Sequence, residues 1–220
     1  MTNTLTHRRM IVFHGGQRSK VEGQREKNKH MKVAVMLFAV AVTLLANNAL
    51  VGQVTVLISY HSKTGNTAAM AEAVAEGARV VEGVTVIMKT VDKTTTPDLL
   101  AADAIIVGSP VYNANVSPEV QQFISDWPFQ GQPLKDKIGA AFVTAGGMSA
   151  GEEITQMNIL QSMLIFGMVV VGGPDWKSPF GASAIVSEYP FDNEEGVHSA
   201  FLDKARGLGE RVARLAVMLK

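Results

Sequence analysis

Six consecutive residues, Ser62, Lys63, Thr64, Gly65, Asn66 and Thr67, gather three hydroxyls, a side-chain amide, one cation and a glycine. An apolar, β-rich run (VTVLISY, 54–60) precedes them and a helical pattern follows. Unpaired backbone N–H groups and the dipole at a helix start favour a phosphate at such a place. Hydroxyl donors add hydrogen bonds without fixed positive charge, which suits a phosphate that stays bound as part of a cofactor. Other phosphate loops fit poorly. A P-loop needs G-x-x-x-x-G-K-[ST], and a dinucleotide fingerprint needs G-x-G-x-x-G; neither is present. A phospho-acceptor domain would need acidic residues after the strand, where Tyr60, His61 and Ser62 stand.

Two later loops have complementary chemistry. In residues 108–116 (GSPVYNANV), Pro110 stiffens the turn, and Val111, Tyr112 and Asn113 offer apolar and hydrogen-bonding contacts to a flat heterocycle. In residues 144–149, Thr144, Ala145, Gly146 and Gly147 combine a hydroxyl with adjacent glycines that let a ligand approach the backbone. No side chain stands out as a catalyst. The absence of cysteine excludes disulfides, thiolate metal sites and a cysteine nucleophile. His61 and His198 have no partner pattern and are read as surface residues, and no metal site is expected.

These loops need elements to position them. Apolar runs at 54–60, 84–91, 103–108, 138–144 and 168–171 alternate with helical patterns at 66–81, 117–127, 152–166 and 193–219, with a helical turn at 97–102. This is the pattern of an α/β, doubly wound, five-stranded parallel sheet with helices on both faces. The order 2-1-3-4-5 needs only five strands and puts ligands at their carboxyl ends. Expected inward faces are Met70, Val74, Gly77 and Val81; Ile154, Met157, Leu160 and Leu164; and Phe201, Ala205, Leu208, Val212, Leu215 and Leu219.

The pattern S-x-T-G-N-T after the first strand resembles the flavodoxin phosphate loop. The stretch from residue 54 to 220 resembles flavodoxin-like NAD(P)H:quinone oxidoreductases of the tryptophan-repressor-binding-protein type. Residues 108–116 resemble that family's G-[ST]-P-x-x-x-G-N-M loop, which wraps the flavin ring, with Ala114 where the family has glycine. Residues 144–149 resemble its S-T-G-T-G-G loop, which meets the ring's pyrimidine edge. Residues 177–183 (KSPFGAS) resemble its G-T-P-Y-G-A-T stretch, expected to close over the site or a subunit neighbour. Trp127 and Phe129 fall near where the family places a tryptophan over the flavin pocket, but each is read first as a packing residue, with flavin contact as the alternative.

The resemblance implies an FMN cofactor on the three loops and NADH or NADPH as co-substrate. It further implies a quinone or similar small-molecule acceptor and a homo-oligomer. The alternative is a flavodoxin-type electron carrier without nicotinamide turnover. Two departures bear on the nicotinamide-dependent chemistry and on the family's tetramer, but not on FMN. The family histidine before the fifth strand is replaced by Leu164-Ile165-Phe166-Gly167. The insertion between the second and third strands is missing, and the chain runs directly through residues 93–97.

The chain has 220 residues, 47% hydrophobic and 18% charged, enough for a real core. Residues 1–52 carry eight Lys/Arg against two acids, a net +6, leaving −6 for residues 53–220 because the whole chain balances. A mildly acidic folded part gives no footprint for nucleic acid. Domains are expected at 1–52 (a basic extension plus signal peptide or anchor) and 53–220. This basic part, residues 1–52, is the segment least expected to fold, and residues 1–30 of it are polar and without apolar periodicity. The apolar run 33–45 follows Met31-Lys32 and precedes small residues, the parts of a secretory signal at 31–49, and it is short of a spanning length. Met31 reads as the natural start of that signal. A working signal means a periplasmic or secreted protein; otherwise it is cytoplasmic. Membrane contact is expected only through 33–45 if uncleaved.

Overall fold

The computed structural model describes residues 15–48, 53–192 and 196–220. The chain divides into two compact units, Met1–Val51 and Gly52–Lys220.

In the first unit, α1 (Gly15–Asn48) is one continuous helix. The polar stretch expected to be least folded is therefore helical from residue 15 onward. Its Gln, Arg, Lys, Glu, Met, Leu and Ala residues are good helix formers and no proline interrupts them. Glu26 and His30 pair at 3.6 Å along one face. Side chains 23–40 are exposed. Among the described residues no helix is long and apolar enough to cross a membrane.

The second unit alternates β1 (Val54–Tyr60), α2 (Asn66–Arg79), β2 (Val84–Thr90), α3 (Thr96–Ala101) and β3 (Ala104–Tyr112). There follow β4 (Asn115–Val116), α4 (Pro118–Ser125), β5 (Ile138–Ala145), α5 (Glu152–Ile165), β6 (Val169–Val170), β7 (Ala182–Ile185) and α6 (Ser199–Leu219). The sheet order is β2-β1-β3-β5-β6, with β1, β2, β3, β5 and β6 paired in parallel. β1 and β3 lie at its centre, and β1, β3 and β5 are nearly continuous apolar runs because helices cover both faces. On one face α2 and α6 pack over Val56, Ile58, Ile106 and Phe142. On the other, α3, α4 and α5 pack over Leu57, Ile105, Val107 and Val143.

The α2–α6 contact is backbone to backbone. A Cβ on Gly77 would lie 1.9 Å from the Arg206 carbonyl oxygen, and one on Gly209 would lie 1.9 Å from that of Val74. Only glycine at both places lets the helices approach this closely.

Several elements differ from the sequence reading. The fifth strand is split: β6 pairs with the start of β5 at Ile138–Gly139, and β7 pairs with its end, at Phe142–Ala145. Between them the chain leaves the sheet at Gly172-Gly173-Pro174, and Pro179 offers no N–H to a ladder. Arg211 donates to the carbonyl oxygens of Gly172 and Gly173 and pins this excursion to α6. Residues 182 and 183, expected to close over the site, are thus part of the sheet. Strand β3 runs past Gly108 to Tyr112 and turns through Asn113 and Ala114, both at positive φ (53° and 60°), into the antiparallel β4. That is a two-residue hairpin whose twist suits its strands.

Helix α5 is rotated from its expected phase. Thr155, Gln156, Ile159, Leu160 and Met163 are buried, whereas Ile154 and Leu164 are exposed. Its apolar residues occur all round, so periodicity alone did not define the inner face. Helix α6 starts at Ser199 rather than 193; residues 193–195 lie outside the described residues. Of its expected stripe, Leu219 is exposed.

Candidate functional site

The loop 62–67 sits between the centre strand β1 and α2. Gly65 is the helix N-cap, at φ 93°, a left-handed conformation that a side chain would strain. The Ser62 hydroxyl accepts the Ala68 N–H at 3.2 Å, and the Gly65 carbonyl accepts that of Ala69. The N–H groups of Gly65, Asn66 and Thr67 take no acceptor among the described residues. They form the open end of the helix that an anion satisfies. Lys63 and Thr64 are exposed, and Asn66 donates to the Thr64 hydroxyl at 3.4 Å.

Three contacts bring the loops together at the carboxyl ends of the strands. Thr67 and Thr144, both buried, share a hydrogen bond of 2.7 Å between their hydroxyls, which ties the first loop to the end of β5. The His61 N–H donates to the Gly108 carbonyl at 3.1 Å, which ties the first loop to β3. A Cβ on Gly151 would stand 2.5 Å from that of Ala114, so the start of α5 lies against the β3–β4 hairpin. Pro110 is buried in β3, Val111 and Tyr112 are half-buried, and Asn113 is exposed at the tip. Inside the hairpin, Ser109 donates to the Pro110 carbonyl at 2.7 Å and accepts the Ser117 N–H at 3.0 Å, fixing where α4 begins. Thr144 and Ala145 are buried, Gly147 is half-buried and Gly146 is exposed.

The residues present fit a phosphate-bearing planar cofactor. The helix start is open, and a Cβ placed on Gly65 or on Gly146 would meet no atom of the described residues within 4 Å. There is free space over both loops at the switch between β1 and β3, the place where ligands of such sheets bind. Loop 62–67 would hold the phosphate, and loops 110–113 and 144–147 the ring. By contrast, a cleft of about 690 Å³ between Val91–Lys93 and α4 is lined by Asp92, Glu119 and Asp126, whose charge opposes an anion. Among the described residues no group of three or more His, Asp or Glu gathers as a metal site.

Several residues behave differently from the sequence reading. His61 is half-buried, and its Nε2 lies 3.6 Å from Glu119 Oε2. The Glu119 carboxyl is held below the usual carboxylate range, first by its own backbone N–H; desolvation opposes this, and His61, Ser117 and Lys63 reinforce it. His198 caps α6 by accepting the Ala200 N–H at 3.1 Å. Trp127 is buried, edge-on to Phe123 at 5.6 Å and 5.3 Å from Phe166, while the exposed Phe129 meets Phe166 at 5.7 Å. These two rings make the contacts of the packing reading that the sequence favoured.

The sequence reading missed two carboxylates beside the third loop. Glu152 accepts the Ser149 N–H at 3.3 Å and keeps its other oxygen buried without a partner among the described residues. Glu188 accepts the Met148 N–H at 2.5 Å. Glu152, at the start of α5, could have been found from its place beside the glycine loop. Glu188 lies 40 residues from its partner and carries no local signal.

A family model described as NADPH-dependent FMN reductase matches residues 53–183. A flavodoxin of Aquifex aeolicus is 39% identical over 163 residues, covering 72% of this chain and 84% of that protein. An NAD(P)H dehydrogenase (quinone) of Azorhizobium caulinodans is 34% identical over 197 residues, covering 74% and 98%. The crystal structure of a flavodoxin, WrbA-like protein from Agrobacterium tumefaciens superposes with a TM-score of 0.64 at 26% identity, covering 76% of this chain and 99% of that one. With more than half its length matched by that model, the chain belongs to the NADPH-dependent FMN reductase family, among the flavodoxin-like NAD(P)H:quinone oxidoreductases.

Proposed function

We propose that this protein binds FMN across the three loops and passes two electrons from NADH or NADPH to a quinone-class acceptor. The observation that carries the reading is the joining of an open helix start at Gly65–Thr67 to the ring loops, through the Thr67–Thr144 and His61–Gly108 contacts. Bound FMN supplies the redox chemistry. The chain's residues bind and orient. The N–H groups of Gly65, Asn66 and Thr67 and the Thr64 hydroxyl hold the phosphate without a full countercharge. Val111 and Tyr112 offer an apolar wall to the ring, and Gly146, where an added Cβ would meet none of the described residues within 4 Å, lets it approach the backbone. Burial of Thr67 and Thr144 keeps water from the junction of the loops.

An electron-carrier function is the second reading, favoured by the 39% identity to a protein named flavodoxin. One experiment separates the two. FMN-loaded protein is mixed anaerobically with NADH or NADPH and then with a benzoquinone. Rapid bleaching of the flavin and stoichiometric quinone reduction support the enzyme. Reduction by dithionite but not by nicotinamide supports the carrier. Failure to bind FMN removes both.

Residues 31–49 are proposed as an export signal, on the pattern of a basic start and a short apolar run. Reduced nicotinamide is scarce outside the cytoplasm, so an exported form would draw electrons from a protein or a membrane quinol. N-terminal sequencing of the protein from its host tests this, and an intact Met1 or Met31 on soluble product excludes cleavage.

A further inference from the structure

The carboxyl end of β7 places an acid beside the loop assigned to the ring. Past Ile185, the Val186 N–H donates to Ala145 O at 3.0 Å and the Ser187 N–H to Gly146 O at 2.9 Å. This pairing carries the next residue, Glu188, alongside Gly147 and Met148. Its Oε2 accepts the Met148 N–H at 2.5 Å and lies 2.6 Å from where a Cβ on Gly147 would stand. A carboxylate oxygen pair offers about four lone-pair directions, so one backbone N–H leaves acceptor capacity to spare.

The pyrimidine edge of a flavin presents one donor, N3–H, between two carbonyl acceptors. Backbone N–H groups of a glycine loop can serve the carbonyls, but none of them can receive the N3–H. We propose that Glu188 is the acceptor for that N–H: the Met148 N–H fixes one oxygen and the carboxylate receives the ring's donor. The assignment rests on the proposed FMN site, and within it on the reading of loops 110–113 and 144–147 as those that hold the ring. It makes Glu188 a positioning and selecting residue for the ring, supplied from a strand end distant in sequence. Its charge at this edge also opposes the negative charge that a reduced flavin gathers there, so it holds the cofactor's midpoint potential down.

The test compares wild type, Glu188→Ala and Glu188→Gln for binding of FMN, N3-methyl-FMN and riboflavin, each followed by quenching of flavin fluorescence. A hydrogen bond to a charged acceptor corresponds to roughly ten- to a hundredfold in affinity. Wild type is expected to prefer FMN over N3-methyl-FMN by about that factor, again from the charged hydrogen bond. Glu188→Ala should lose most of this preference while keeping its preference for FMN over riboflavin. Glu188→Gln keeps an acceptor oxygen but no charge, so it should retain part of the preference and raise the midpoint potential. Equal FMN to N3-methyl-FMN ratios in wild type and Glu188→Ala would overturn the assignment, as would an unchanged potential in Glu188→Gln. The riboflavin ratio reports on the phosphate loop alone. Its absence in wild type would sink the reading of residues 62–67 and leave the Glu188 result to stand or fall on the methylated ligand.

Discussion

The Thr67–Thr144 hydrogen bond joins two loops that are 77 residues apart, and its removal has a calculable signature. Both side chains are at most 5% exposed and each hydroxyl is 2.7 Å from the other. Thr67→Val removes one hydroxyl at nearly constant shape and leaves that of Thr144 buried without its partner. Stranding a buried polar group costs about 1–3 kcal/mol, whereas removing both partners is close to neutral. Each single variant, Thr67→Val or Thr144→Val, should therefore lose about 1–3 kcal/mol. The double variant should lose much less than the sum, giving a coupling of at least about 1 kcal/mol in a double-mutant cycle. The assay is urea unfolding of the flavin-free protein at 25 °C, with thermal midpoints as a check. A unit of this size shifts by about 2–4 °C per kcal/mol. Purely additive losses would refute the reasoning, since they would mean that each hydroxyl finds another partner.

Other consequences follow from particular residues. Gly209→Ala would force a methyl to 1.9 Å from the Val74 carbonyl oxygen, so α2 and α6 must separate, at a cost of about 1–3 kcal/mol or more by overpacking, seen as a lowered thermal midpoint. Ala114 holds φ 60° in the hairpin, and Ala114→Gly should stabilise the protein by a few tenths to about 1 kcal/mol in urea unfolding. Asp98 is held down to about 2 from 3.8 by Lys89 first and then by the backbone and hydroxyl of Thr95. A depressed carboxyl contributes stability that is present above its unfolded value and lost as pH falls through its folded one. Wild type and Asp98→Asn should thus differ at neutral pH and converge between about pH 4 and pH 2 in acid unfolding.

The local chemistry of the site was legible because it is written in adjacent residues. Residues 62–67 follow an apolar run and open a helix, and the physics of a helix start needs only that neighbourhood. The strand–helix alternation was legible for the same reason, as burial on both faces leaves continuous apolar runs in β1, β3 and β5. The phase of α5 was not legible, because its apolar residues surround the helix and only the packed sheet selects Ile159 and Met163 over Ile154 and Leu164. The continuity of α1 was missed because polar composition speaks to burial, not to helix formation.

What the sequence determined by itself was the order of the elements and the donor chemistry of each loop. Tertiary structure decided which groups meet. The fifth strand's two pieces, the Thr67–Thr144 tie, the His61–Glu119 pair and the placing of Glu188 at Met148 all join residues tens of positions apart. Such pairings are set by sheet register and helix docking. These are properties of the whole packed unit, and no window of sequence contains them.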